Sequence, residues 1–233
     1  MNKDKIIVVG CGEQARVTID NIEEQNKYDI FGLTSFNGNE NKKDKVYGYE
    51  VVCEDKDIKQ LIKENLDIKG YVLGLGIGVG GNLLNRYKLY SWLDKIINPV
   101  NIIHPTAVIS KRAKIGKGNV IEAFTKLCNG SEVNNHCLIQ SFSSVSHDQI
   151  IANNVMIACN VSLAGKTIGE HSIIAEGSSI GFKKNVGQNC LLMDGAVLTK
   201  DMPDNTVGYG NPAKIIKKND SIIKSIYTSK YKI

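Results

Sequence analysis

Aromatic residues are scarce, at 6% of the 233-residue chain, with a single tryptophan. A nucleic-acid surface built from stacked rings between basic side chains therefore has little to draw on, and no nucleic-acid partner is expected. Charge of one sign is also lacking: the net charge is +5, carried mostly by lysines scattered along both ends. That is an ordinary solvated surface, although an anionic small molecule such as a nucleotide meets no opposing field. No apolar run reaches the length needed to cross a bilayer, so membrane insertion is not expected. Among the six cysteines, Cys11, Cys53, Cys128, Cys137, Cys159 and Cys190, no C-x-x-C pair occurs. No signal-peptide pattern precedes them, since MNKDKIIVVG enters a strand pattern at once. They read as free thiols of a cytoplasmic protein. What is present is a 42% hydrophobic content, enough for a globule with a real core.

Residues 5–9, KIIVV, form a short apolar run, followed by GCGEQA and then RVTIDNIEEQN, where Val17, Ile19 and Ile22 suit a helix packed by one side. The turn reads Gly10-x-Gly12-x-x-Ala15, a nucleotide-binding fingerprint in which backbone N–H groups at a helix start approach a phosphate. YDIFGLTS, YEVVC and YVLGLGIG read as further strands, NGNENKKDK as a polar loop, and DIKQLIKENL and LLNRYKLYSWLDKII as helices. The alternation predicts a Rossmann-like α/β domain over residues 1–98.

From Ile109 the period changes. Ile, Val or Leu falls at 109, 115, 121, 127, 133, 139, 145, 151, 157 and 163, then at 168, 174, 180, 186, 192 and 198. Neither a helix nor a flat strand explains steps of six, whereas a parallel β-helix places one short strand and one corner in each hexapeptide. Small residues two before the stacking positions (Ala113, Thr125, Ser131, Cys137, Ser143, Ser178, Ala196) suit tight corners. This predicts an all-β domain over residues 99–215 and a C-terminal tail over 216–233. Between Leu163 and Ile168 the step is five, and a tightened corner is expected there.

His147-Asp148 stands two residues past stacking position Val145, hence at an outward corner. Three hexapeptides make one coil, so Gly165, two past Leu163, should lie one coil away on the same edge, with Asn129 on the other side. Coils are about 4.8 Å apart. An exposed base and a bare peptide nitrogen would then face one reacting group; a surface histidine paired with its neighbour is the plainer alternative.

The Gly-x-Gly-x-x-Ala turn, INPVNIIHPTAVIS, SHDQII, LAGKTIG and LTKDMPDNTVGYGNPAKIIKK together resemble one family across all but the last dozen residues. It comprises the left-handed β-helix sugar acetyltransferases, grouped with sialic acid O-acetyltransferases and bacillosamine-type UDP-aminosugar N-acetyltransferases. The resemblance implies left-handed crossovers, a homotrimer, and acetyl-CoA in the groove between prisms, with no metal. It implies His147 as general base, Asp148 orienting it, and the Gly165 N–H as oxyanion donor. Met156, Gly165, Glu176, Gly177, Asp194 and Gly195 match coenzyme-binding positions. Gly10, Gly12, Glu13, Gln14, Thr34, Ser35, Gly76 and Arg86 match positions around a nucleotide-linked sugar. Two departures stand out: Gly12-Glu13-Gln14 replaces the family's Gly-His, and Leu33-Thr34-Ser35 lacks its aspartate after the second strand.

The expected function is N-acetylation of a nucleotide-linked 4-amino sugar in cell-surface glycan biosynthesis, with sialic acid O-acetylation as the alternative. A γ-type carbonic anhydrase would need three converging histidines, and His104, His136 and His171 lack the close pair. A nicotinamide oxidoreductase would need an acidic ribose anchor. A regulator that had lost catalysis would not need an intact His147-Asp148.

Overall fold

The computed structural model describes residues 3–36, 45–76 and 83–219. The polar loop NGNENKKDK lies almost wholly outside those residues, as do the end of YVLGLGIG and the last 14 positions. The N-terminal unit comprises β1 (Asp4–Val9), α1 (Glu13–Gln25), β2 (Tyr28–Ser35), β3 (Lys45–Val46), β4 (Tyr49–Glu54), α2 (Ile58–Glu64), β5 (Ile68–Leu73) and α3 (Leu83–Leu93). The sheet order is β3-β4-β2-β1-β5, parallel except for the short hairpin of β3 on β4. Central β1 is buried on both faces through Ile6, Ile7, Val8 and Val9, as a strand of continuous aliphatic residues requires. One face packs on α2 and α3 through Ile58, Leu89 and Leu93; the other packs on α1 through Ala15, Ile19 and Ile22. Val17 of α1, expected inside, is 38% exposed, because the buried side runs instead through Ala15, Thr18 and Ile22.

The remainder is a three-sided left-handed prism of two-residue strands. A first face stacks Val108–Ile109, Lys126–Leu127, Ser144–Val145, Ser162–Leu163, Ser179–Ile180 and Val197–Leu198. A second runs from Lys114–Ile115 to Asn185–Val186, and a third from Ile102–Ile103 to Leu191–Leu192. The second residue of each strand points inward, and from Ile121 to Leu198 every such position is at most 2% exposed. Corner hydroxyls turn back onto the backbone: Ser131 Oγ donates to Cys128 O and Ser178 Oγ to Ala175 O, each at 2.7 Å.

At the five-residue step the ladder keeps its register, with Leu163 beside Ile180 and Ile151 beside Ile168. Elsewhere the second corner residue has positive φ, as at His136, Asp148, Asn154 and Lys183; the short corner dispenses with that residue. The prism ends in Thr206–Tyr209, which pairs antiparallel with Lys214–Lys218, so residues 216–218 belong to a strand rather than to a tail.

The third face is apolar outward as well as inward. Ile102, Val120, Leu138, Met156 and Ile173 share one core with Ile19 and Ile22 of α1, which docks the two units together. All six cysteines are free thiols, and among the described residues no helix is long and apolar enough to cross a membrane.

Candidate active site

His147 and Asp148 form the corner between the first and second faces. Asp148 takes the positive-φ position (+57°), which short polar side chains tolerate better than most, and its N–H donates to Asn129 O. Its carboxylate accepts from His147 Nδ1 at 2.9 Å. Because the carboxylate only accepts, the ring proton sits on Nδ1, and Nε2 is the basic nitrogen. The two side chains are 57% and 73% exposed, so that nitrogen is open to a ligand.

Gly165 occupies the same edge, as the eighteen-residue column predicts. A Cβ there would fall 2.7 Å from Lys184 O, 2.9 Å from Ile180 Cγ2 and 3.2 Å from Gln149 Nε2. Glycine is therefore required by close packing of the short corner. The residue is buried, and among the described residues no hydrogen bond takes its N–H.

A cavity of about 650 Å³, within the range of small-molecule sites, opens at the edge between the third and first faces. Gly12, Glu13 and Gln14 line it from the start of α1, Gly74, Leu75 and Gly76 from the end of β5. The prism contributes Gln140, Ala158, Ala175, Glu176 and Asp194. The turn after β1 is shaped by close approaches: Gly10 has φ +106° and no room beside Leu75 and Gly74 O, while a Cβ on Gly74 would fall 2.9 Å from that of Ala15. Gly12, the N-cap of α1, has open space before it. Gly177 and Gly195 follow Glu176 and Asp194 at the same edge, both exposed and at positive φ.

Beneath the cavity lies Glu122, only 3% exposed. Gln14 Nε2 donates to its Oε1 at 3.0 Å, and Ser141 N and Oγ donate to its Oε2. Burial raises its pKa, against the opposing pull of these donors. Gln140 Nε2 in turn donates to Gln14 Oε1 at 3.1 Å.

Four expected site residues lie elsewhere. Met156, matched to the coenzyme arm, is 1% exposed in the core between the prism and α1, because it is an outward residue of the covered third face. Thr34 and Ser35 are fully buried and do not line the cavity. Thr34 Oγ1 donates to Asp55 Oδ1 at 2.5 Å and accepts from Gly10 N, so a carboxylate stands behind this strand end after all, supplied from beyond β4. Arg86 is 3% exposed at the edge between the second and third faces, where it donates to His136 O and to Asn154 Oδ1 at 2.8 Å. Burial lowers its pKa to about 10. It anchors α3 to the prism, beside Asp94, which accepts from His136 Nε2 at 2.9 Å and from Tyr71 Oη at 2.5 Å.

His147 with Gly165, and the cavity with Glu176 and Asp194, thus occupy different edges of one prism, on either side of the first face. Glu122 and Gln140 carry no motif; only the docking of the prism against α1 brings them to Gln14.

A family model described as the PglD N-terminal domain matches residues 5–93. In fold, the chain superposes on a mutant perosamine N-acetyltransferase from Caulobacter crescentus, solved in complex with CoA and GDP-perosamine. The TM-score is 0.83 at 22% identity, over 92% of this chain and 97% of that one. The acetyltransferase domain of PglB from Neisseria gonorrhoeae, in complex with acetyl coenzyme A, matches with TM-score 0.80 at 24% identity, over 92% and 100% of the two chains. An acyl-[acyl-carrier-protein]–UDP-N-acetylglucosamine O-acyltransferase of Campylobacter concisus is 27% identical over 135 residues, 57% of this chain and 52% of that one. The chain spans about half the length of the curated relatives it matches. Residues 5–93 thus match the PglD N-terminal domain, and the described fold, that unit joined to a left-handed prism, is the one shared with these solved structures.

Proposed function

We propose that this protein transfers an acetyl group from acetyl-CoA to the amine of a nucleotide-linked 4-amino sugar, with His147 as general base and Asp148 orienting it. The observation that carries this reading is the exposed His147–Asp148 pair, whose 2.9 Å hydrogen bond leaves Nε2 basic and open. The sugar nitrogen attacks the thioester carbonyl and loses a proton to Nε2. The C–S bond then breaks, and the proton passes to the departing CoA sulfur. The Gly165 N–H, without a partner among the described residues, is the candidate donor to the carbonyl oxygen as it becomes negative.

The cavity edge suits the acceptor. Its charged lining residues, Glu13, Glu176 and Asp194, are all carboxylates, which attract a sugar ammonium and repel the carboxylate of a sialic acid. This favours amine acylation over sialic acid O-acetylation. The same edge makes Glu176, Gly177, Asp194 and Gly195 candidates for contact with either substrate.

Because His147 and the cavity lie on different edges, one chain does not complete the site. A homotrimer, with the first faces inward and the His147 edge of one copy against the cavity edge of the next, supplies both. The test is release of free thiol from acetyl-CoA with UDP-, GDP- and dTDP-linked 4-amino sugars, and with sialic acid. Release with an amino sugar supports the reading; release with sialic acid alone replaces it by the O-acetyl reading, and release with neither removes it.

A further inference from the structure

The buried carboxylate of Glu122 has a consequence for what the cavity recognises. A carboxylate only accepts hydrogen bonds, so Glu122 Oε1 holds the NH2 end of the Gln14 amide toward itself. Gln14 Oε1 therefore points to Gln140, and takes the NH2 end of that amide at 3.1 Å. The relay ends on Gln140 Oε1, an acceptor, on a residue of the cavity wall. Together with Glu13, Glu176 and Asp194, the polar side chains of this wall then offer acceptors.

We infer that Glu122 is a specificity-determining residue: from beneath the cavity it orients the Gln14–Gln140 relay so that the wall selects a hydrogen-bond-donating, cationic amino sugar over its hydroxyl counterpart. This rests on the acetyl-acceptor reading of the cavity, and Glu122 itself touches no ligand. The glutamine variant reverses the relay on simple donor–acceptor grounds. Ser141 N is a fixed donor, so in Glu122→Gln the new carbonyl oxygen must face Ser141 and the new NH2 must face Gln14. Gln14 then flips, Gln140 flips after it, and the wall presents NH2 where it had presented oxygen.

The experiment is calorimetric titration of wild type and Glu122→Gln with UDP- and GDP-linked 4-amino sugars, each beside its 4-hydroxy counterpart, and with acetyl-CoA as control. Wild type should prefer the amino sugar, and the variant should lose that preference by about tenfold with acetyl-CoA affinity unchanged. Gln140→Leu, which removes the terminal acceptor at a half-buried position, should lose the same preference and serves if Glu122→Gln does not fold. Equal preference in wild type and variants, or no affinity for either sugar, overturns the inference. Thiol release separates the two ideas. Loss of preference without thiol release by wild type leaves Glu122 standing and removes acetyl transfer; thiol release with an unchanged preference does the reverse.

Discussion

Asp148 lies over Gly130 so closely that a Cβ added to Gly130 would fall 2.1 Å from Asp148 Oδ1. The glycine one coil away is therefore the space that the carboxylate occupies while it holds His147 Nδ1. Gly130 also has φ +71°, where an L side chain is strained. Gly130→Ala should cost about 1–2 kcal/mol of stability. By displacing the carboxylate it should lower kcat about tenfold to a hundredfold. Thermal melts and initial rates on the same preparation read both effects; an unchanged kcat would show that Asp148 does not orient the imidazole.

Met156 provides a second separation. As a buried residue between the prism and α1, it should behave as core: Met156→Ala is expected to cost about 2–5 kcal/mol in denaturant unfolding. Acetyl-CoA affinity of the folded variant should match wild type. A full-stability variant with weakened acetyl-CoA binding would return Met156 to the coenzyme site.

Asp94 gives a pH-dependent test. Partial burial would raise its pKa, but the hydrogen bonds from His136 and Tyr71 outweigh burial and hold it below the usual aspartate value. A carboxyl group with a depressed folded-state pKa contributes stability at pH values above its unfolded pKa, about 3.9, and that contribution disappears as pH falls through the folded value. Asp94→Asn should therefore melt below wild type at neutral pH, and the two melting curves should converge in the acid range below about pH 4. A gap that stays constant into that range would mean that Asp94 contributes through packing alone.

The prism was legible in the sequence because one aliphatic residue in six must face inward in every coil, and each of the sixteen positions from Ile109 to Leu198 does so. The His147 corner followed by counting, since residues eighteen apart stack. The short step at LAGKTIG was visible as an interruption, although the close approach of Lys184 O that demands Gly165 was not. A second periodicity carried the information that was missed. Ile102, Val120, Leu138, Met156, Ile173 and Leu191, one in each coil, are apolar immediately before an inward residue, which marks the third face as covered by another element. Read that way, Met156 belongs to a docking surface. Glu122 and Gln140 were not legible, because their partner Gln14 comes from a distant segment joined only by that docking; Asp55 was not, because Thr34 meets it only once β4 pairs with β2. The burial of Arg86 was not legible either, because the edge that buries it is more than forty residues further on in the chain.

The most direct test of the account is the steady-state rate of thiol release by His147→Ala with acetyl-CoA and the amino-sugar nucleotide that wild type accepts. The side chain is more than half exposed, so the variant should fold and assemble as wild type does. The expected result is a fall in kcat by about 10²–10⁴, the usual contribution of a general base. A variant that turns over at the wild-type rate would contradict it.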